Sequence, residues 1–195
     1  MTMKAYRIIN RSACNEIDCT IGNKLPLITP VNPISDIKRR LEATFEERRK
    51  ILFPNLTPRR SGPFAFPDLR QEVMWAEAIF ENKPQDYYLT TLELNNPTTW
   101  FDASFFNQAG NEAVIFEKSN NTYQENYLNN ERIVAFVDSY WKSGINTDNP
   151  TEISYKLAEG IINGDVIIVN CETKHWNNKL GLCIPLSRLV YNNKQ

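Results

Sequence analysis

What most constrains this chain is the order in which two hydrophobic periods occur along it. Helical spacings dominate the first two-thirds, strand-like runs dominate the last third, and no regular strand–helix–strand alternation connects them. A doubly wound parallel sheet needs that alternation. The pattern therefore points to an α+β domain with a mixed or antiparallel sheet. At 195 residues the chain reads as one domain, 1–195, with room for a substantial core.

"AYRII" reads as a first strand with Tyr6 and Ile8 on one face and Arg7 and Ile9 on the other. Residues 10–34 read as loop, ending in "LPLITPVNP", whose three prolines forbid regular helix. In "SDIKRRLEATFEERRKILF", Ile37, Leu41, Phe45 and Leu52 make one helical stripe and Ser35 is the N-cap. Then come a short strand "FAF", a capping box formed by Asp68 and Gln71, and a helix with the stripe Leu69, Val73, Ala76, Ile79 and Phe80. "DYYLTTLEL" is the clearest strand. "DASFFNQA" reads as a short helix and "EAVIFEK" as a strand. "NNERIVAFVDSYWKSG" is a helix with Gly144 as its C-terminal cap. "EISYKLAEG", "DVIIVNCE" and "LCIPLSRLVY" read as the closing strands.

Basic and acidic side chains nearly cancel at a net charge of −1, so any polyanion site must be a local cluster. The clusters "KRR" and "ERRK" are interleaved with Glu42, Glu46 and Glu47, which suggests pairing along the helix more than a phosphate track. No run approaches the roughly 20 apolar residues of a spanning helix, and the N-terminus lacks an apolar stretch of signal-peptide length. The expectation is no membrane partner and reduced cysteines at 14, 19, 171 and 183 in a cytoplasmic protein. A zinc site would need those thiols together with His175, in spacings that fit poorly. His175, the chain's one histidine, reads as an exposed residue of a polar hairpin-like "ETKHWNN". Walker, GxGxxG, GxSxG and HExxH signatures are absent from the sequence.

Three weaker features remain. Arg7 lies in the first strand, where its guanidinium fork suits phosphate or carboxylate. Arg59, Arg60 and Ser61 stand at the entry to the second strand, either as a solvated corner or as a pyrophosphate cradle. Glu152 follows a Pro-containing turn and reads as opening a strand, a placement suited to holding a ribose hydroxyl and a developing cation.

The order of these features resembles the Arg–Ser–Glu arrangement of ADP-ribosyltransferases. "AYRIINR" is similar to their opening strand, "RRSGPFAFPDLRQEVMWAEAIF" to the strand and helix flooring their NAD pocket, and "TEISYKLAEG" to their glutamate strand. "VDSYWKSG" before "PTEI" resembles an uncharacterised bacterial group of that fold. The resemblance implies a split sheet core and NAD as co-substrate, in a toxin- or effector-like protein that is cytoplasmic or delivered into a target cell's cytosol. Arg7 would bind the NAD phosphate or the adenosine-ribose region, Arg60 would add a phosphate contact, Ser61 would support the nicotinamide pocket and orient Glu152, and Glu152 would be catalytic. Phe64 or Trp75 would stack on nicotinamide. The acceptor it implies is a macromolecule, protein in preference to nucleic acid. Two departures matter: Ser-Gly-Pro replaces the family's Ser-Thr-Ser, and Pro150 stands two before Glu152, which leaves arginine-directed transfer least supported. The alternative is a non-enzymatic interaction module of immunity or adaptor type, with the aromatic segment "TTWFDASFF" as an exposed partner surface.

Overall fold

The computed structural model describes residues 3–13, 19–24, 35–81, 83–95, 97–119, 125–162 and 166–189. Its elements run β1 (Met3–Asn10), α1 (Asp36–Leu52), β2 (Phe64–Ala65), α2 (Glu72–Phe80), β3 (Gln85–Leu94), β4 (Thr98–Asp102) and α3 (Ser104–Ser119). They continue with α4 (Glu131–Lys142), β5 (Ile145–Thr147), β6 (Ala158–Ile161), β7 (Ile168–Asn177), β8 (Leu182–Pro185) and α5 (Leu186–Leu189). The strands form two four-stranded antiparallel sheets, ordered β1-β3-β7-β8 and β2-β6-β4-β5. The α+β expectation holds, with antiparallel pairing throughout these sheets.

A pair of backbone hydrogen bonds between Tyr6 and Phe66, each 2.8 Å, ties β1 to the end of β2 and joins the sheets at that point. Three packed regions follow from the strand alternation. Ala5, Ile9, Tyr88, Leu92, Trp100 and Ile168 fill the layer between the sheets. Leu41, Phe45, Phe101, Val137, Tyr140 and Trp141 pack α1, α3 and α4 on the far face of the second sheet. Ile8, Phe66, Ala76, Phe80, Tyr87 and Trp176 seat α2 on the outer face of the first.

Several local expectations are corrected. "EAVIFEK" is the second half of helix α3, whose buried Ala109 and Ala113 lie four apart and allow close helix contact. "TTWFDASFF" is not a surface: Trp100 and Phe101 are 0% and 1% exposed. Only Ala158–Ile161 of the "EISYKLAEG" region forms a strand, and "LCIPLSRLVY" turns helical at Leu186. α2 is rotated from its apolar stripe, leaving Leu69, Val73 and Ile79 exposed. The buried face is Glu72, Ala76 and Phe80, because Glu72 receives hydrogen bonds from Tyr87 Oη at 2.6 Å and Lys174 Nζ at 2.8 Å. Gly144 is not a left-handed cap. Instead an added Cβ there would lie 3.0 Å from the Phe101 ring, so the position is small because a strand passes beneath it. "LPLITPVNP" and Cys14 lie outside the described residues.

Candidate functional site

Arg7 occupies an inner-face position of β1, in register with the Ala5 and Ile9 that line the layer between the sheets. It is half-buried, and its Nη1 donates to the Phe64 carbonyl at 2.7 Å. That bond ties the first strand's arginine to the first residue of β2. Pro58 starts a single 3-10 turn over Arg59–Ser61, and Ser61 Oγ donates back to the Pro58 carbonyl at 2.7 Å. Arg60 and Ser61 are exposed on this turn, and Arg60 has no side-chain partner among the described residues.

Arg59, the other half of the doublet, turns inward. It is 4% exposed and salt-bridged to Glu159 of β6, while its Nε donates to Glu42 of α1 at 3.3 Å. Its guanidinium carbon sits 4.1 to 5.2 Å from the ring centroids of Phe106, Phe64, Tyr140 and Phe45. Tyr140 donates to Glu159 Oε1 at 2.5 Å. Burial works against the charge on Arg59, but Glu159, with Tyr140 and Glu42, outweighs it and raises the pKa. Burial also pushes the Tyr140 hydroxyl far above its usual range, so it stays a neutral donor. This cluster clamps the turn that displays Arg60 and Ser61.

Glu152 does not open a strand. It ends a 3-10 turn over Pro150–Glu152, at the start of the crossover that carries the chain from β5 to β6. Its exposed carboxylate accepts from Thr147 Oγ1 at 2.7 Å and Asn149 Nδ2 at 3.3 Å. The neighbouring Ile153 packs against the layer between the sheets, the layer onto which Arg7 faces. Further along the crossover, Tyr155 donates to the Ser143 carbonyl, and Gln71 Nε2 donates to the Tyr155 carbonyl at 3.1 Å. Gln71 thus fastens this crossover instead of closing a capping box on Asp68. β5, which anchors Glu152, and β2, which Arg7 contacts, are opposite edges of the second sheet, three strand spacings or about 14 Å apart.

Of the anticipated residues, then, Arg7 reaches the first residue of β2, and Arg60 and Ser61 stand on the turn that leads into it. Glu152 stands apart from them, exposed on the turn after β5. The two aromatic candidates are committed elsewhere: Phe64 turns its ring to Arg59 in the helical core, and Trp75 stacks on Phe66 and donates to the Ala158 carbonyl at 3.2 Å. Glu159, the glutamate that does lie in the late strand, pairs with Phe101 in register and faces the helices, away from Arg7. A lone acid in the apolar run "LAEGII" was the available signal for that buried charge. Nothing in the sequence distinguishes Arg59 from Arg60. His175 is not a loop residue: it sits in β7 with Nδ1 2.7 Å from Asp86 Oδ1.

Comparison of the chain with family models, curated proteins and solved structures finds no match.

Among the described residues no helix is long and apolar enough to cross a membrane, and no group of three or more His, Cys, Asp or Glu could hold a metal ion. A cavity of about 340 Å³ is lined by Thr57, Glu93, Asn95, Thr98, Thr99 and Asn146, together with Leu94 and Ile162 of the inter-sheet layer and Phe101 and Ile161 of the helical side. It has no cation in its lining and does not reach Arg7 or Arg60.

Proposed function

We propose that the chain transfers ADP-ribose from NAD to an acceptor, with release of nicotinamide. One observation carries the reading: Arg7, on the inner face of β1, hydrogen-bonds Phe64 at the entry to β2, beside the turn that displays Arg60 and Ser61. Two cations and a hydroxyl at the junction of two sheets match the needs of a pyrophosphate and its adjoining ribose. Glu152 adds an accessible carboxylate fixed by Thr147 and Asn149. Its role in this reading is to hold a ribose 2′-hydroxyl and to stabilise the positive charge that develops at C1′. As the C1′–N bond breaks, its electron pair leaves with nicotinamide; the acceptor then bonds C1′ and loses a proton. The acceptor class favoured is a protein side chain other than arginine, given Pro150 two residues before Glu152.

The test is nicotinamide release from NAD by wild type and by Glu152→Gln, both checked for folding by circular dichroism. Loss of about a hundredfold or more in the mutant is expected for a group acting on the developing charge. No release by wild type and no NAD binding by calorimetry would refute the reading.

An interaction module is the second reading, now on a different surface. α2 exposes Val73, Met74 and Ile79 at 38%, 40% and 47%, whereas the aromatic segment that the sequence offered is core.

A further inference from the structure

The inner face of the first sheet carries polar groups well beyond Arg7, and strand register sets them in rungs. Arg7 pairs with Thr90 and Thr90 with Cys171; two residues along, Ile9 pairs with Tyr88 and Tyr88 with Thr173. Two residues further, Asp86 pairs with His175, and side chains two apart on a strand share a face. The His175 side chain is 25% exposed, with its Nδ1 against Asp86. Arg11, just past the end of β1, brings Nη1 to 3.7 Å from Asp86 Oδ2. The same Arg11 lines a cleft of about 490 Å³ together with Glu172, Thr173, Pro185, Leu186 and Ser187.

The carboxylates at this end are already engaged. Asp86 faces His175 and Arg11, while Glu172 accepts from Asn170 Nδ2 at 3.4 Å and lies 3.9 Å from Lys174 Nζ. What remains is a set of donors: the outer N–H groups of Arg11 and the hydroxyls of Thr173 and Ser187. The His175 ring is fixed beside Arg11 through Nδ1, which lies 2.7 Å from the Asp86 carboxylate that Arg11 also faces. Donors of this kind, around a planar guanidinium fork, suit a tetrahedral oxyanion.

We propose that Arg11 and the cleft it lines form a binding site for a phosphate group, with His175 linked to Arg11 through Asp86, separate from the Arg7–Ser61 junction. The site does not depend on the NAD reading. Asp86 of β3 and Arg11 are the charged groups set against the ring; Ile184 of β8 faces it across the hairpin, and Glu172 and Lys174 are the nearest charges within β7.

Because the chain has one histidine, its imidazole Hε1 resonance reports this site alone. The full chain is titrated with inorganic phosphate, then with ADP, at constant pH and ionic strength. The expected result is a saturable shift of that resonance, with binding weakened about tenfold or more in Arg11→Gln. ADP binding at least tenfold tighter than phosphate identifies a nucleotide as the source; equal binding identifies free phosphate. A shift that never saturates, or one that saturates identically in a folded Arg11→Gln, overturns the proposal.

Discussion

Replacing Arg59 with methionine tests how the turn at Arg60 and Ser61 is held. The substitution keeps an unbranched apolar side chain but removes the guanidinium shared by Glu42 and Glu159. Those two side chains are 10% and 4% exposed, so two buried carboxylates lose the cation that both contact. Breaking a buried pair from one side costs about 3–5 kcal/mol, because the surviving charge lacks both water and a counter-ion. For a chain of this length, about 2–4 °C of melting temperature accompanies each kcal/mol, which places the expected fall at roughly 6–20 °C. Urea denaturation followed by tryptophan fluorescence measures the difference. Glu159→Gln should cost less, since the amide oxygen still accepts from Tyr140, and adding it to Arg59→Met should recover part of the loss. Trypsin gives a second readout. The bond after exposed Arg60 should be cut faster in Arg59→Met than in wild type under native conditions. A loss below about 1 kcal/mol, with unchanged cleavage, would show that Arg59 does not anchor the turn and would refute the reasoning.

Other consequences can be checked separately. An alanine at Gly62 would drive its Cβ into the Ile162 carbonyl oxygen, so Gly62→Ala should lose about 1–3 kcal/mol and speed amide exchange at Ile162, which donates to Pro63. Equal stability would mean that β2 can shift without cost. Thr147→Val removes the hydroxyl that donates to Glu152 while Thr147→Ser keeps it, so under the proposed transferase reading nicotinamide release should fall about tenfold in the first and persist in the second. Matching rates would show that Thr147 does not position Glu152. Burial raises the Cys183 thiol above its ordinary 9.0 and the Tyr87 hydroxyl above its ordinary 10.0. Groups whose pKa is raised on folding stabilise the chain below the unfolded value and cease to do so as pH climbs through the folded one. Stability measured in urea should therefore change little from these groups below pH 9 and decline above it; a rise instead would contradict the assigned burial.

The sequence was most readable where one side chain period ran unbroken. α1, α4 and β3 lie within a residue or two of their expected bounds, because each carries a sustained helical or β-branched pattern. α3 was split into a helix and a strand because "AVIF" is locally β-prone; its helicity comes from burying the small Ala109 and Ala113 against other helices, a tertiary effect. β4 was missed for a related reason. Trp100 and Phe101 are adjacent and both buried, so no alternation marks a strand with a core on either side. Among the site residues, Arg7 was legible because an arginine in an apolar strand stands out. Glu152 was assigned to a strand that begins six residues later, and the pairing of Asp86 with His175 spans 89 positions, beyond any local signal.

The position of β4 has a mechanical consequence. Trp100 faces the layer between the sheets and Phe101 faces the helices, so this five-residue strand is a common wall of both compartments. Neither compartment can open while the other stays closed without tearing the wall from its neighbours. Amides of β4 and β6 should accordingly exchange with solvent only when the whole molecule unfolds, and a ligand seated between the sheets would slow exchange across the helical side as well.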